Sequence, residues 1–150
     1  MNRDRYGAAV HEAGHVVVAR VCGVQTGAMI AGIGDDDAAG RAEIGDTSHL
    51  SVIDQIAICA AGMQAQRMLG AATHEVAGLS DEVRIYNILD DYEPTEGEAL
   101  RDAGFGKSRE TLEAYRATVE LLAAALAEQG ELDHAAVEHI IGDGLQRRSS

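Results

Sequence analysis

"VHEAGHVVVAR", residues 10–20, sets two histidines and a glutamate inside a run of helix-forming and otherwise apolar residues. Groups that titrate near neutral pH are costly to bury unless something pairs with them, so the stretch needs a partner from elsewhere in the chain. On an α-helix, positions i and i+4 lie about 40° apart and one turn along the axis. His11 and His15 therefore present their imidazoles side by side, a bite that suits one zinc ion. Glu12 stands beside them where its carboxylate can reach a water without ligating, and this is the pattern HExxH. In such a site zinc lowers the pKa of the water to about 7 and polarises a scissile carbonyl, while the glutamate takes the proton and passes it to the leaving amine. Ala13 and Gly14 leave room for another backbone against this helix, and Val16 to Val18 bury the following turn.

Outward from that stretch, the pattern is mostly helical. The first helix is expected from Asp4, as N-cap, to about Cys22, ending before Gly23; apolar residues cover most of its circumference, which marks a buried central helix. "VQTGAMIAGIG" and "GRAEIG" then read as two short strands around the acidic loop Asp35 to Asp37. A second long helix is expected from Val52 to Leu69, with Ser51 as N-cap, Asp54 at the capping-box position and Gly70 beyond its end. Ser80 is expected to cap a third helix whose apolar positions stop at the lone Pro94, and Thr95 with Glu98 a short fourth. A long amphipathic helix from about Arg109 to Gln129, closed by Gly130, precedes a last one capped by Asp133 and running through Ile141, with "RRSS" as a loose tail. The expected fold class is mainly α (α+β), as one domain over residues 1–150 with a small β-sheet or hairpin after the HExxH helix.

Composition narrows the function. Twelve Lys and Arg against 25 Asp and Glu give a formal charge of -13, which repels nucleic acid and anionic lipid. The longest apolar run, "LLAAALA" at 121–127, is far short of the ~20 residues of a bilayer crossing, so no membrane insertion is expected. The start "MNRDRYG" lacks the apolar segment of a secretory signal, which makes a cytoplasmic location the expectation. Cys22 and Cys59, without CxxC neighbours, read as buried free thiols.

A catalytic zinc takes three protein ligands. The longer HExxHxxGxxH is absent, because Val18 and Val21 stand where its Gly and third His would be. Glu43 follows at a usable distance, but in what reads as strand or loop. "AGLSDEVRIYNILDD", residues 77–91, is the better source, with an acid in the first turn of a capped helix.

Four segments in order, "HEAGHVVVA" at 11–19, "AAGMQAQRMLG" at 60–70, "GLSDEVRIYNIL" at 78–89 and "LLAAALAEQGELDHAAVEHII" at 121–141, resemble the peptidase domain of the FtsH family of ATP-dependent membrane proteases. The resemblance implies a helical zincin-like metallopeptidase domain whose third zinc ligand is an Asp at the start of a helix. The approach to that helix is one residue shorter here, so Asp81 fits with a deletion and Glu82 without one. The helical face favours Asp81: the apolar positions that follow the family's ligand then fall on Ile85, Ile88, Leu89 and Tyr92, whereas counting from Glu82 puts Asp90 and Glu93 on the buried face. Where the family usually has a Glu that orients a zinc-binding His, this chain has Gln66, a weaker acceptor. Gly62 in the same stretch is expected to let the second helix approach the first.

The resulting expectation is a zinc-dependent metalloendopeptidase with one zinc on His11, His15 and Asp81, Glu82 the alternative ligand, Glu12 the general base and Gln66 behind a ligand. The alternative is a non-catalytic, zinc-retaining binding or regulatory module of the same fold. The ATPase module and membrane anchor that the family places before this domain are missing from these residues, so the chain is expected to be ATP-independent in itself and to act on peptides or unfolded chains, or with a partner protein. A homo-oligomer, as in the family's hexameric rings, is left open. A peptide substrate is expected to pair along an edge strand at 28–33. "GKS" at 106–108 imitates the end of a P-loop, but Arg101 takes the place of its first Gly; Asp35, Asp37 and Gly40 imitate a calcium loop, but Ala39 replaces a ligand. His49, His74, His134 and His139 read as solvated, with His74 and Glu75 of interest because their loop leads to Asp81.

Overall fold

Asn2 opens the first helix. Its side-chain oxygen accepts from the backbone N–H groups of Asp4 and Arg5, both at 3.1 Å, and α1 runs Arg3–Val21 in the computed structural model, which describes residues 2–149. The side chains of Glu75 and of residues 146–149 lie outside the description. Asp4, expected as the cap, instead lies in the first turn, where its charge favours the helix dipole. From Gly7 to Ala19 every residue of α1 is buried. It is the central helix, packed against the α-helices α2 (Val52–Leu69) and α5 (Arg116–Gln129) and the strands β1 (Thr26–Ile33) and β2 (Asp36–Ile44).

The strands form an antiparallel hairpin whose two-residue loop, Gly34-Asp35, has Gly34 at φ 59, the glycine a tight hairpin loop calls for at its first position. The acidic run 35–37 is therefore divided between turn and β2. A two-residue strand, β3 (Glu131–Leu132), pairs with Met29 and Ile30 on the other side of β1, so the order is β2-β1-β3. This corrects the expectation for 28–33: β1 is the central strand, and the free edge along the sheet belongs to β2.

The second helix has the predicted limits, for local reasons. Ser51 accepts from the Asp54 N–H at 3.1 Å, and Gly70 closes the helix at φ 63. Gly14 lets α1 and α2 touch, since a Cβ there would lie 2.6 Å from the Ala61 carbonyl oxygen.

The remaining helices differ from expectation. The third, α3 (Glu75–Leu89), begins well before Ser80, behind His74 in extended backbone and with no side-chain cap. Propensity is a weak prior, and packing carries the helix through Gly78, where a Cβ would come 2.9 Å from Met63 Sδ. Pro94 does not end a helix but starts α4 (Pro94–Ala114), at the position where its missing N–H costs nothing; Thr95 lies inside. This helix continues through "GFG" because Gly104 sits where α4 crosses α2, a Cβ there meeting Ile56 Cγ2 at 2.5 Å. The expected single helix from Arg109 is thus split at Tyr115 between α4 and α5. Asp133 caps α6 (His134–Ser149) by accepting from the Ala136 N–H at 2.8 Å; α6 extends past Ile141 through most of "RRSS", whose last residue is outside the described residues.

The chain is mainly helical with a small antiparallel sheet. One buried cluster joins Val10, Val17 and Ala61 to Leu122, Leu126, Leu132 and Ile141. Cys22 and Cys59 are free and half-buried. Among the described residues, no helix is long and apolar enough to cross a membrane.

Candidate metal site

His11 and His15 lie one turn apart on the buried face of α1, and each has its Nδ1 committed. His15 Nδ1–H donates to the Ile58 carbonyl of α2 at 2.7 Å, and His11 Nδ1–H donates to Gln66 Oε1 at 2.9 Å. The amide of Gln66 can face only one way. Its Nε2 donates to the carbonyls of Gly7 at 3.1 Å and Ala72 at 2.9 Å, which leaves Oε1 to accept from His11. Both rings are therefore held as the tautomer whose bare lone pair is on Nε2.

Those two lone pairs and one carboxylate oxygen converge. Asp81 Oδ2 is 3.0 Å from His11 Nε2 and 3.1 Å from His15 Nε2, and the two nitrogens are 3.0 Å apart. Three acceptors at such separations repel unless a cation lies among them, whether a proton or a metal ion. Asp81 is buried near the middle of α3, with Ile85 buried one turn on, so the helical-face count led to the residue that meets the histidines. The expected position in a first turn does not hold. Glu82 is not brought to the site: it forms a two-pronged ion pair with Arg101 of α4, at 2.8 and 3.1 Å. Glu43 lies on β2 and accepts from the Ala28 N–H.

Glu12 completes the group. Its ligand atom and those of His11 and His15 lie within 4.8 Å of one another, a set that could bind a metal ion. Among the described residues its Oε2, which is buried, has no hydrogen-bond partner. Burial pushes this carboxyl above its ordinary range, while the positive charge available to His15 and His11 pulls the other way. For His15, burial disfavours the charged ring, but the hydrogen bond and charge of Asp81 outweigh it and raise the pKa. Asp81, despite its own burial, is held well below the usual carboxylate range by the two imidazoles. Cys59, lining the same cleft, is pushed up to about 11 by burial and by the Asp81 charge.

Two glycines make the space. A Cβ on Gly62 of α2 would lie 2.6 Å from Nε2 of both histidines, so this position must be bare for the rings to meet there. The sequence pointed to Gly62 as a helix-approach residue; its neighbours are the rings themselves. Gly40 of β2 lies against Glu12, where a Cβ would meet Cγ at 2.9 Å. A glycine inside a strand is the one sequence signal for this close approach. The carbonyls of Ile58, Gly7 and Ala72 had no signal, because any residue supplies a carbonyl.

α1, β2 and α3 wall a cleft of about 780 Å³ over this cluster. His74 is at its rim, exposed and 3.6 Å from Asp4. The P-loop imitation at 106–108 lies within α4, and the calcium imitation is divided between the hairpin turn and β2.

Such a buried two-histidine, two-carboxylate group can hold a divalent cation and present a base beside it. Compared with known protein families and with curated proteins, the chain matches none. The likeness to the FtsH peptidase domain therefore rests on the four sequence segments alone.

Proposed function

We propose that the protein is a zinc-dependent metalloendopeptidase, related to the FtsH peptidase domain and zincin-like in its site, which hydrolyses peptides or unfolded chains. The observation that carries this is the meeting of His11 Nε2, His15 Nε2 and Asp81 Oδ2 at 3.0–3.1 Å, with both Nδ1 atoms already tied down as donors. Ligands of a tetrahedral zinc, with bonds of about 2.0–2.1 Å, stand roughly 3.3 Å apart, so this donor set fits one zinc ion after a small expansion. The bare Cα of Gly62 and the orphaned Oε2 of Glu12 support the same assignment.

His11, His15 and Asp81 would hold the ion, and Gln66 and the Ile58 carbonyl would keep the two rings in the ligating tautomer. Zinc bound there supplies Lewis acidity toward a scissile carbonyl and a water. Glu12 takes the proton of the attacking water on its unpartnered carboxylate and delivers it to the leaving amine. The free edge of β2 walls the cleft and is the segment along which an extended peptide can pair.

Glu12→Gln tests the base. The variant should retain zinc while cleavage of casein falls about 10²–10⁴-fold. Cleavage at the wild-type rate would refute the assignment. Zinc bound equally by wild type and variant, with no turnover by either, would favour the non-catalytic module. Gln66 keeps that second reading open, since an amide leaves His11 a less basic ligand than a carboxylate would.

A further inference from the structure

Arg84 follows Asp81 by three residues on α3, and both line the cleft together with Ser80, Asn87 and Ile88. Residues at this spacing share a helix face, with Cβ atoms about 5–6 Å apart. Arg41 is the other arginine or lysine among the residues lining the cleft. It stands on β2, whereas Arg84 shares the helix face of Asp81 itself. Arg84 is thus the cleft's permanent cation on the helix that carries Asp81, in a chain whose formal charge is -13.

The guanidinium is exposed, and among the described residues no hydrogen bond or ion pair engages it. Asp81, the nearest acid on its own face, is occupied with the two histidines, and Glu82 with Arg101. Arg84 therefore shares the cleft with Glu12 and Asp81 while pairing with neither among the described residues. Arginine presents paired donors in a planar fork matched to a carboxylate.

We propose that Arg84 selects substrates bearing a carboxylate within a residue or two of the cleaved bond, either an acidic side chain or the C-terminal carboxylate. The assignment rests on the peptidase reading above and adds the class of substrate. Asp36, the acid of the cleft's hairpin end, forms no ion pair with Arg84 among the described residues; its carboxylate accepts from the Ala38 N–H at 3.1 Å.

Three labelled peptides of one Ala/Gln-rich sequence separate the sources of the carboxylate: one neutral and C-terminally amidated, one with a single Gln changed to Glu, and one neutral with a free C-terminus. Wild type should cleave one or both carboxylate-bearing peptides with kcat/KM about tenfold above the neutral one, the size of one charge-assisted contact. Arg84→Gln should bring that ratio to near one, Arg84→Lys should keep part of it, and Arg84→Glu should invert it. Equal handling of all three peptides by wild type, or a preference surviving Arg84→Gln, overturns the assignment. If wild type cleaves none, the peptidase reading fails, and binding decides the Arg84 claim separately. In fluorescence anisotropy with the Glu12→Gln protein, a carboxylate peptide should bind more tightly than the neutral one and lose that advantage when Arg84→Gln is added; no such difference overturns the claim.

Discussion

His11 and Asp81 meet at one point but arrive there on unlike supports. The histidines stand on α1, buried continuously from Gly7 to Ala19, and their far nitrogens are tied to α2 through Gln66 and Ile58. The carboxylate comes from α3, which starts without a side-chain cap and carries exposed apolar residues, with Val76 80%, Leu79 65%, Val83 50% and Tyr86 70% exposed. Half of the site is thus fixed by the core, and the other half is a single acid on a peripheral helix. The imidazoles are held by the core through their Nδ1 atoms, and a cation held by Asp81 would also fasten α3 to α1.

The comparison can be broken most severely at Gly62. Gly62→Ala puts a methyl group 2.6 Å from both Nε2 atoms, and the rings cannot step aside without losing their Nδ1 partners. Overpacking of this kind costs about 1–3 kcal/mol. The variant should unfold at lower denaturant by that amount and no longer co-purify with zinc; unchanged stability and metal content would show that the α1–α2 half is soft.

A smaller effect sharpens the contrast at Gln66. By ligand chemistry alone, Gln66→Glu should improve the support of His11. The structure predicts the reverse, because a carboxylate cannot donate to the Gly7 and Ala72 carbonyls that the amide now satisfies. Setting a carboxylate against these carbonyls, and leaving the half-buried one of Ala72 without its donor, costs about 1–3 kcal/mol, to be read from denaturant unfolding of the metal-free protein. A variant as stable as wild type would mean that these two contacts contribute nothing.

How much of this was legible in the sequence depended on range. The limits of α2 could be read because Ser51, Asp54 and Gly70 act within one turn of themselves. The histidine pair follows from i, i+4 spacing, and the apolar face shared with Ile85 chooses Asp81 over Glu82, the two acids that the family resemblance offers. The central place of β1 was hidden, since it is set by β3, two residues long and about a hundred positions downstream. The continuity of α4 was hidden too: Gly104 reads as a breaker until Ile56 is seen against it. Gln66 looked like a weakened glutamate because two main-chain carbonyls, which no side-chain pattern announces, decide what its amide does.

The most direct test is a metal count by mass spectrometry on protein purified without a histidine tag, for wild type, Asp81→Asn and Glu82→Gln. One zinc per chain is expected in wild type and in Glu82→Gln, whose parent residue is tied to Arg101, and far less in Asp81→Asn. A wild-type protein without zinc, or an Asp81→Asn protein that keeps it in full, would contradict the account.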